Sequence, residues 1–90
     1  MRVPGDTDKF RRFIADEERL RSISDRARAG GCLHHRFAIG DGYVLVVDEW
    51  ESLEQFQQFF AGLGDVLMDA GAQGEPEMVV AEAISTADEF

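Results

Sequence analysis

The side chains able to do chemistry in this chain are few and lie close together. Cys32, His34, His35, Tyr43, Asp48 and Trp50 all fall within the stretch CLHHRFAIGDGYVLVVDEW. Adjacent histidines in an extended segment point to opposite faces, so His34 and His35 do not form a metal pair, and the lone Cys32 has no partner at ligand spacing. The expectation is therefore no bound metal and no cofactor. No P-loop, dinucleotide fingerprint or Gly-x-Ser-x-Gly turn occurs, and Gly40-Asp41-Gly42 is too short and too acidic to cradle a phosphate. What remains is acid–base work by imidazole and carboxylate.

Pairing depends on how the two strands of a hairpin align. With Ile39 opposite Tyr43, His34 faces Asp48, His35 faces Val47 and Cys32 faces Trp50. His34 and Asp48 are then the candidate catalytic pair, the carboxylate orienting the imidazole from across the strand. A structural cross-strand pair, extended to Arg36, is the alternative. In this alignment Cys32, His34, Arg36, Ala38, Val44, Val46, Asp48 and Trp50 share one face. Leu33, His35, Phe37, Ile39, Tyr43, Leu45, Val47 and Glu49 share the other, which is expected beneath the helices. A slip of one residue exchanges the sets. His35 and Tyr43 are candidates to contact a ligand through a ring nitrogen and a phenol, or else core members with satisfied polar tips. Trp50, and Phe59 on the following helix, complete the candidate ligand-binding set.

The elements that must hold these residues follow from periodicity and punctuation. Met1 to Val3 reads as a short first strand, cut off by Pro4-Gly5, either a stub or the end of a chain that begins further upstream. Asp6 or Thr7 caps a helix whose apolar stripe is Phe10, Phe13, Ile14, Leu20, Ile23 and Ala27, and Gly30-Gly31 stops it. Cys32 to Ile39 and Tyr43 to Trp50 are strands around a Gly40-Asp41-Gly42 loop. Ser52, with Gln55 completing a capping box, starts a second helix with Leu53, Phe56, Phe59, Phe60 and Leu63 on its apolar side. Gly64 breaks that helix, and Asp65 can cap a last turn through Met68. Glu77 to Ile84 is expected as the closing strand, followed by an acidic tail. The order β-α-β-β-α-β predicts an α+β, ferredoxin-like domain spanning 1–90, with an antiparallel sheet and two helices on one face. The run YVLVV is apolar on both faces. One face takes the chain's own helices and the other needs a partner, which predicts a homodimer built sheet to sheet.

Charge narrows the partners. Asp and Glu number 18 against 9 Lys and Arg, a net charge of −9. Six arginines lie between Arg11 and Arg28, but Asp16, Glu17, Glu18 and Asp25 interleave them, which reads as a solvated helix face and not an anion-binding patch. Neither nucleic acid nor a membrane is expected as a partner. No apolar run approaches a membrane span or signal peptide, so a cytoplasmic location is expected.

The stretch GCLHHRFAIGDGYVLVVDEWESLEQFQQFF resembles the antibiotic biosynthesis monooxygenase-like group of the dimeric α/β-barrel superfamily. The most telling part is DEWESLEQF, a strand ending in an acid and Trp50, then Ser52 as cap and Phe56. The resemblance implies a protomer whose sheet pairs with a second copy into a barrel, with small aromatic or lipophilic molecules bound between sheet and helices. Active members use Asn, Trp, His and Tyr in that cleft, with a histidine frequent on the second helix where this chain has Phe59. Met1 to Val3 offers no Asn, and no histidine follows Trp50. Two functional readings stand: a dimer binding an apolar or aromatic molecule, or serving as a non-catalytic interaction module, and a cofactor-independent monooxygenase using His34, His35, Asp48, Tyr43 and Trp50.

Overall fold

Capping residues set where the helices begin. In the computed structural model, which describes residues 1–90, Asp6 starts α1 (Thr7–Ala15) by accepting from the amides of Asp8 and Lys9 at 3.0 and 3.1 Å. Two of the N–H groups that a helix start leaves unpaired are thereby satisfied. The single helix expected through Ala29 is in fact two. Asp16 leaves helical backbone at φ −79° and ψ 83°, and its carboxylate accepts from Arg19 N at 3.2 Å to open α2 (Glu17–Ala29). Aspartate caps a helix better than it propagates one. Glu17 and Glu18 then occupy the first turn of α2 and Arg26 and Arg28 the last, each matching the sign of the helix dipole.

The hairpin of β2 (Cys32–Ile39) and β3 (Tyr43–Trp50) is shifted from the expected alignment. Gly40 N donates to Tyr43 O at 2.9 Å, so the loop is Asp41-Gly42, with Gly42 at φ 80°. Ile39 then pairs with Val44, His35 with Asp48 and His34 with Glu49. The tighter loop is the physical cause, aided by Tyr43, whose ring lies so close over Gly40 that any Cβ there would overlap it. An irregularity at Leu33 restores the expected pairing of Cys32 with Trp50.

β1 (Arg2–Pro4) pairs antiparallel with β3, giving a three-stranded sheet in the order β1-β3-β2. The closing strand expected over Glu77 to Ile84 does not form. Glu77 exchanges backbone hydrogen bonds with Arg2, both at 2.8 Å, and pairing stops there. On the other side of β1, the Met1 amino group and carbonyl pair with Val46 of β3, both at 2.8 Å. Val79, Val80 and Ile84 are left exposed.

After β3, α3 (Leu53–Ala61) starts at Ser52, which accepts from Gln55 N at 3.2 Å. Gln55 does not reach back to the cap's backbone as a capping box would. Its Oε1 accepts from the Ser52 hydroxyl and its Nε2 donates to Glu51. Leu53, expected in the apolar stripe, is half exposed. Gly64 opens α4 (Gly64–Asp69) instead of ending a helix, and Asp65 lies inside its first turn and caps nothing.

All four helices pack on one side of the sheet. Phe10 of α1, Val44 of β3 and Ala70 after α4 form the buried centre, flanked by Phe13, Ile14, Phe37, Ile39 and Val46. Phe10 meets Phe37 edge-on at 5.1 Å. The shifted register means that His35, Phe37 and Ile39 share this face with Val44, Val46, Asp48 and Trp50. The expected partition was right for His34 to Ile39 of β2 and inverted for β3, whereas Cys32, expected on the outer face with His34, pairs with Trp50 and lines the helix-covered side because of the irregularity at Leu33. No helix is long and apolar enough to cross a membrane.

Candidate functional site

Asp48 is the residue on which the polar groups converge. It lies on the helix-covered face of β3, with its side chain 17% exposed. His35, directly across on β2, places Nδ1 2.6 Å from Asp48 Oδ1. Trp50, two residues along on the same face, donates its indole N–H to Oδ2 at 3.2 Å. Both carboxylate oxygens are therefore engaged. The expected partner of Asp48 was His34, and this is corrected. His34 falls on the outer face opposite Glu49, 3.9 Å away, with its side chain 80% exposed. The one-residue change of register exchanged the two histidines.

Each member of the cluster is braced by an aromatic neighbour. The Trp50 indole packs against Phe56 and Phe59 of α3 at 5.7 and 5.2 Å. His35 stands edge-on to Phe37 at 4.3 Å. Such contacts restrict rings to few rotamers and add to their burial. The sequence signal for them was present in the spacing of Phe56 and Phe59, although nothing in it revealed that Trp50 would hydrogen-bond Asp48.

A cavity of about 360 Å³ lies between the sheet and the helices. Phe13, Leu20, Ile23, Phe37, Phe59 and Phe60 are among the residues around it. The non-hydrophobic residues on it are Ser24, Arg28, His34, His35 and Asp48. Of the four expected ligand contacts, His35 and Phe59 line this cavity. Trp50 backs it through Phe59 and Asp48, and itself lines a second groove with Met78 to Ala83. Tyr43 does not reach it. Expected beneath the helices, Tyr43 sits on the outer face, where the Arg2 guanidinium lies 4.3 Å from its ring centroid.

Cys32 closes one end of the lining. Its Sγ donates to the His34 carbonyl at 3.4 Å. Burial, and secondly the negative charge of Asp48, push its pKa above the ordinary thiol value, against a smaller opposing effect of the His34 backbone hydrogen bond. A protonated, buried thiol is not a nucleophile. No group of three or more His, Cys, Asp or Glu is placed to hold a metal ion.

The arrangement offers an apolar chamber with one oriented imidazole on its wall. The chain matches no protein-family model, and no curated protein or solved structure is significantly similar to it.

Proposed function

We propose that this protein binds a small apolar or aromatic molecule between its sheet and its helices. The observation that carries this is the 360 Å³ cavity, of ligand size and walled mainly by Phe, Leu, Ile and Val, with the bonded His35 and Asp48 among its five polar residues. Trp50 reports on it, being the sole tryptophan and in contact with Phe59. A naphthoquinone should quench Trp50 saturably. Phe59→Glu should abolish the quenching, and Gln57→Glu, on an exposed position of α3, should leave it intact. Quenching indifferent to Phe59→Glu would remove this site. A cofactor-independent monooxygenase of the antibiotic biosynthesis type is the catalytic form of the same reading. Oxygen uptake with a hydroxylated polyaromatic substrate separates it from binding alone.

A homodimer, sheet against sheet in a dimeric α/β barrel, is the assembly this reading includes. Its support is apolar surface with no partner in the chain: Val47 is 60% exposed on the outer sheet face, and Val79 and Ile84 in the unpaired tail are 86% and 75% exposed. Light scattering should return twice the 10.1 kDa chain mass. Val47→Glu should return the chain mass itself. A stable wild-type monomer would refute the assembly.

A further inference from the structure

Beside β3 the sheet has a gap with two unpaired flanks. At its closed end Arg2 of β1 lies between Leu45 of β3 and Glu77, paired antiparallel with both, so the gap begins one strand wide. Backbone pairing on the β1 side of β3 stops at Met1, which bonds Val46. The flanks continue past it. β3 runs on to Trp50, and Met78 to Ala83 line one groove with Val46, Asp48 and Trp50. Val46 turns its N–H and C=O toward Met1, so strand alternation turns those of Asp48 and Trp50 the same way, where no strand lies beside them. No backbone N–H or C=O from Met78 to Ala83 is hydrogen-bonded within the chain. Unpaired edges of this kind are templates for main-chain pairing with another extended segment.

The side chains around the gap define what fits. Its apolar lining includes Trp50, Leu53 and Phe56, with Met78 and Val80 across from them. Its charged side chains are Asp48, Glu49, Glu51 and Glu82, with no Lys, Arg or His. Asp48 is held by His35 and Trp50, and Glu49 lies 3.9 Å from the exposed His34, but Glu51 meets only the Gln55 amide. The tail of a second copy, which carries four acids and no basic residue from Glu77 to Phe90, is repelled by this lining. We infer that the gap is a docking slot for an extended segment of another protein that alternates apolar and basic side chains and pairs antiparallel to β3. Opposite Val47 to Trp50 it would run for about 13 Å of strand. Residues set against Asp48 and Trp50 face Phe56 with apolar side chains, and those set against Val47 and Glu49 present Lys or Arg to the acids.

Dye-labelled hexapeptides test this on the full chain by fluorescence anisotropy, with Trp50 emission as a second readout. One alternates Val with Lys, one alternates Val with Glu, and the third is the Val–Lys peptide N-methylated at every Lys, which cannot donate along one edge. The Val–Lys peptide should bind saturably, and at least about tenfold more tightly than either of the others. Glu82→Lys should shrink the preference for Lys over Glu. Ala81→Pro removes a donor on the flank that Glu77 aligns, and should weaken the Val–Lys peptide while leaving the urea midpoint unchanged. Equal binding of the Lys and Glu peptides, binding that survives N-methylation, or no binding of any peptide would overturn the slot. So would a wild-type dimer that ignores the peptides and becomes monomeric in Ala81→Pro, because a second copy would then fill the gap.

Discussion

The interaction between His35 and Asp48 has a worth that can be measured without any ligand. A typical hydrogen bond contributes about 0.5–1.5 kcal/mol net, and one to a charged group about 1.5–3 kcal/mol. This pair lies between those limits, with side chains 35% and 17% exposed and a contact of 2.6 Å. Trp50 holds the second carboxylate oxygen, so little of the pair's ordering entropy is charged to the contact itself. A coupling of about 1–2 kcal/mol follows, in the range of hydrogen bonds to a charged group. The assay is a double-mutant cycle of His35→Gln and Asp48→Asn, unfolded in urea at one protein concentration and followed by Trp50 fluorescence. Asp48→Asn alone should lower stability by about 1–2 kcal/mol, or the melting temperature by about 4–16 °C for a domain of this size. If the two changes add within about 0.3–0.5 kcal/mol, the residues are not coupled, and the argument for an oriented imidazole fails.

Phe10→Ala removes a ring that is 8% exposed and in contact with Phe37, and should cost about 3–4 kcal/mol in urea unfolding; a loss below about 1 kcal/mol would place the core elsewhere. Cys32 should be alkylated by iodoacetamide only at a pH above that of a free thiol, and Asp48→Asn should bring the midpoint partway down. Because its folded pKa is raised, its contribution to stability is full below the ordinary thiol pKa and is lost as pH rises through the raised value. Asp16→Ala should cost about 0.5–2 kcal/mol by removing the cap of α2, and no loss would show that packing alone imposes the break between α1 and α2.

Much of the architecture was legible in the chain because its signals are local. Asp6 and Ser52 cap the helices they were expected to cap, since a short polar side chain followed by an amphipathic run leaves few alternatives. The strand limits at Cys32, Ile39, Tyr43 and Trp50 follow from the same kind of local punctuation. Asp16 was a missed local signal, an aspartate followed by two glutamates that reads as a second helix start.

The candidate site was only half legible. That an imidazole would meet Asp48 across the hairpin was clear from the sequence, but which imidazole was not. His34 and His35 are adjacent, strand side chains alternate in direction, and a loop shorter by one residue exchanges them. The close packing of Tyr43 on Gly40 goes with that loop, and glycine spacing alone does not distinguish the two-residue loop from the three-residue one. The same shift put Tyr43 on the outer face and brought Trp50 beneath α3, where its indole could hold Asp48. The apolar pattern of Glu77 to Ile84 is that of a strand, yet the segment pairs only at Glu77, with Arg2. Residue type and spacing thus determined which groups were available for chemistry. Register and the reach of neighbouring backbone, which depend on contacts distant in sequence, decided which of them meet.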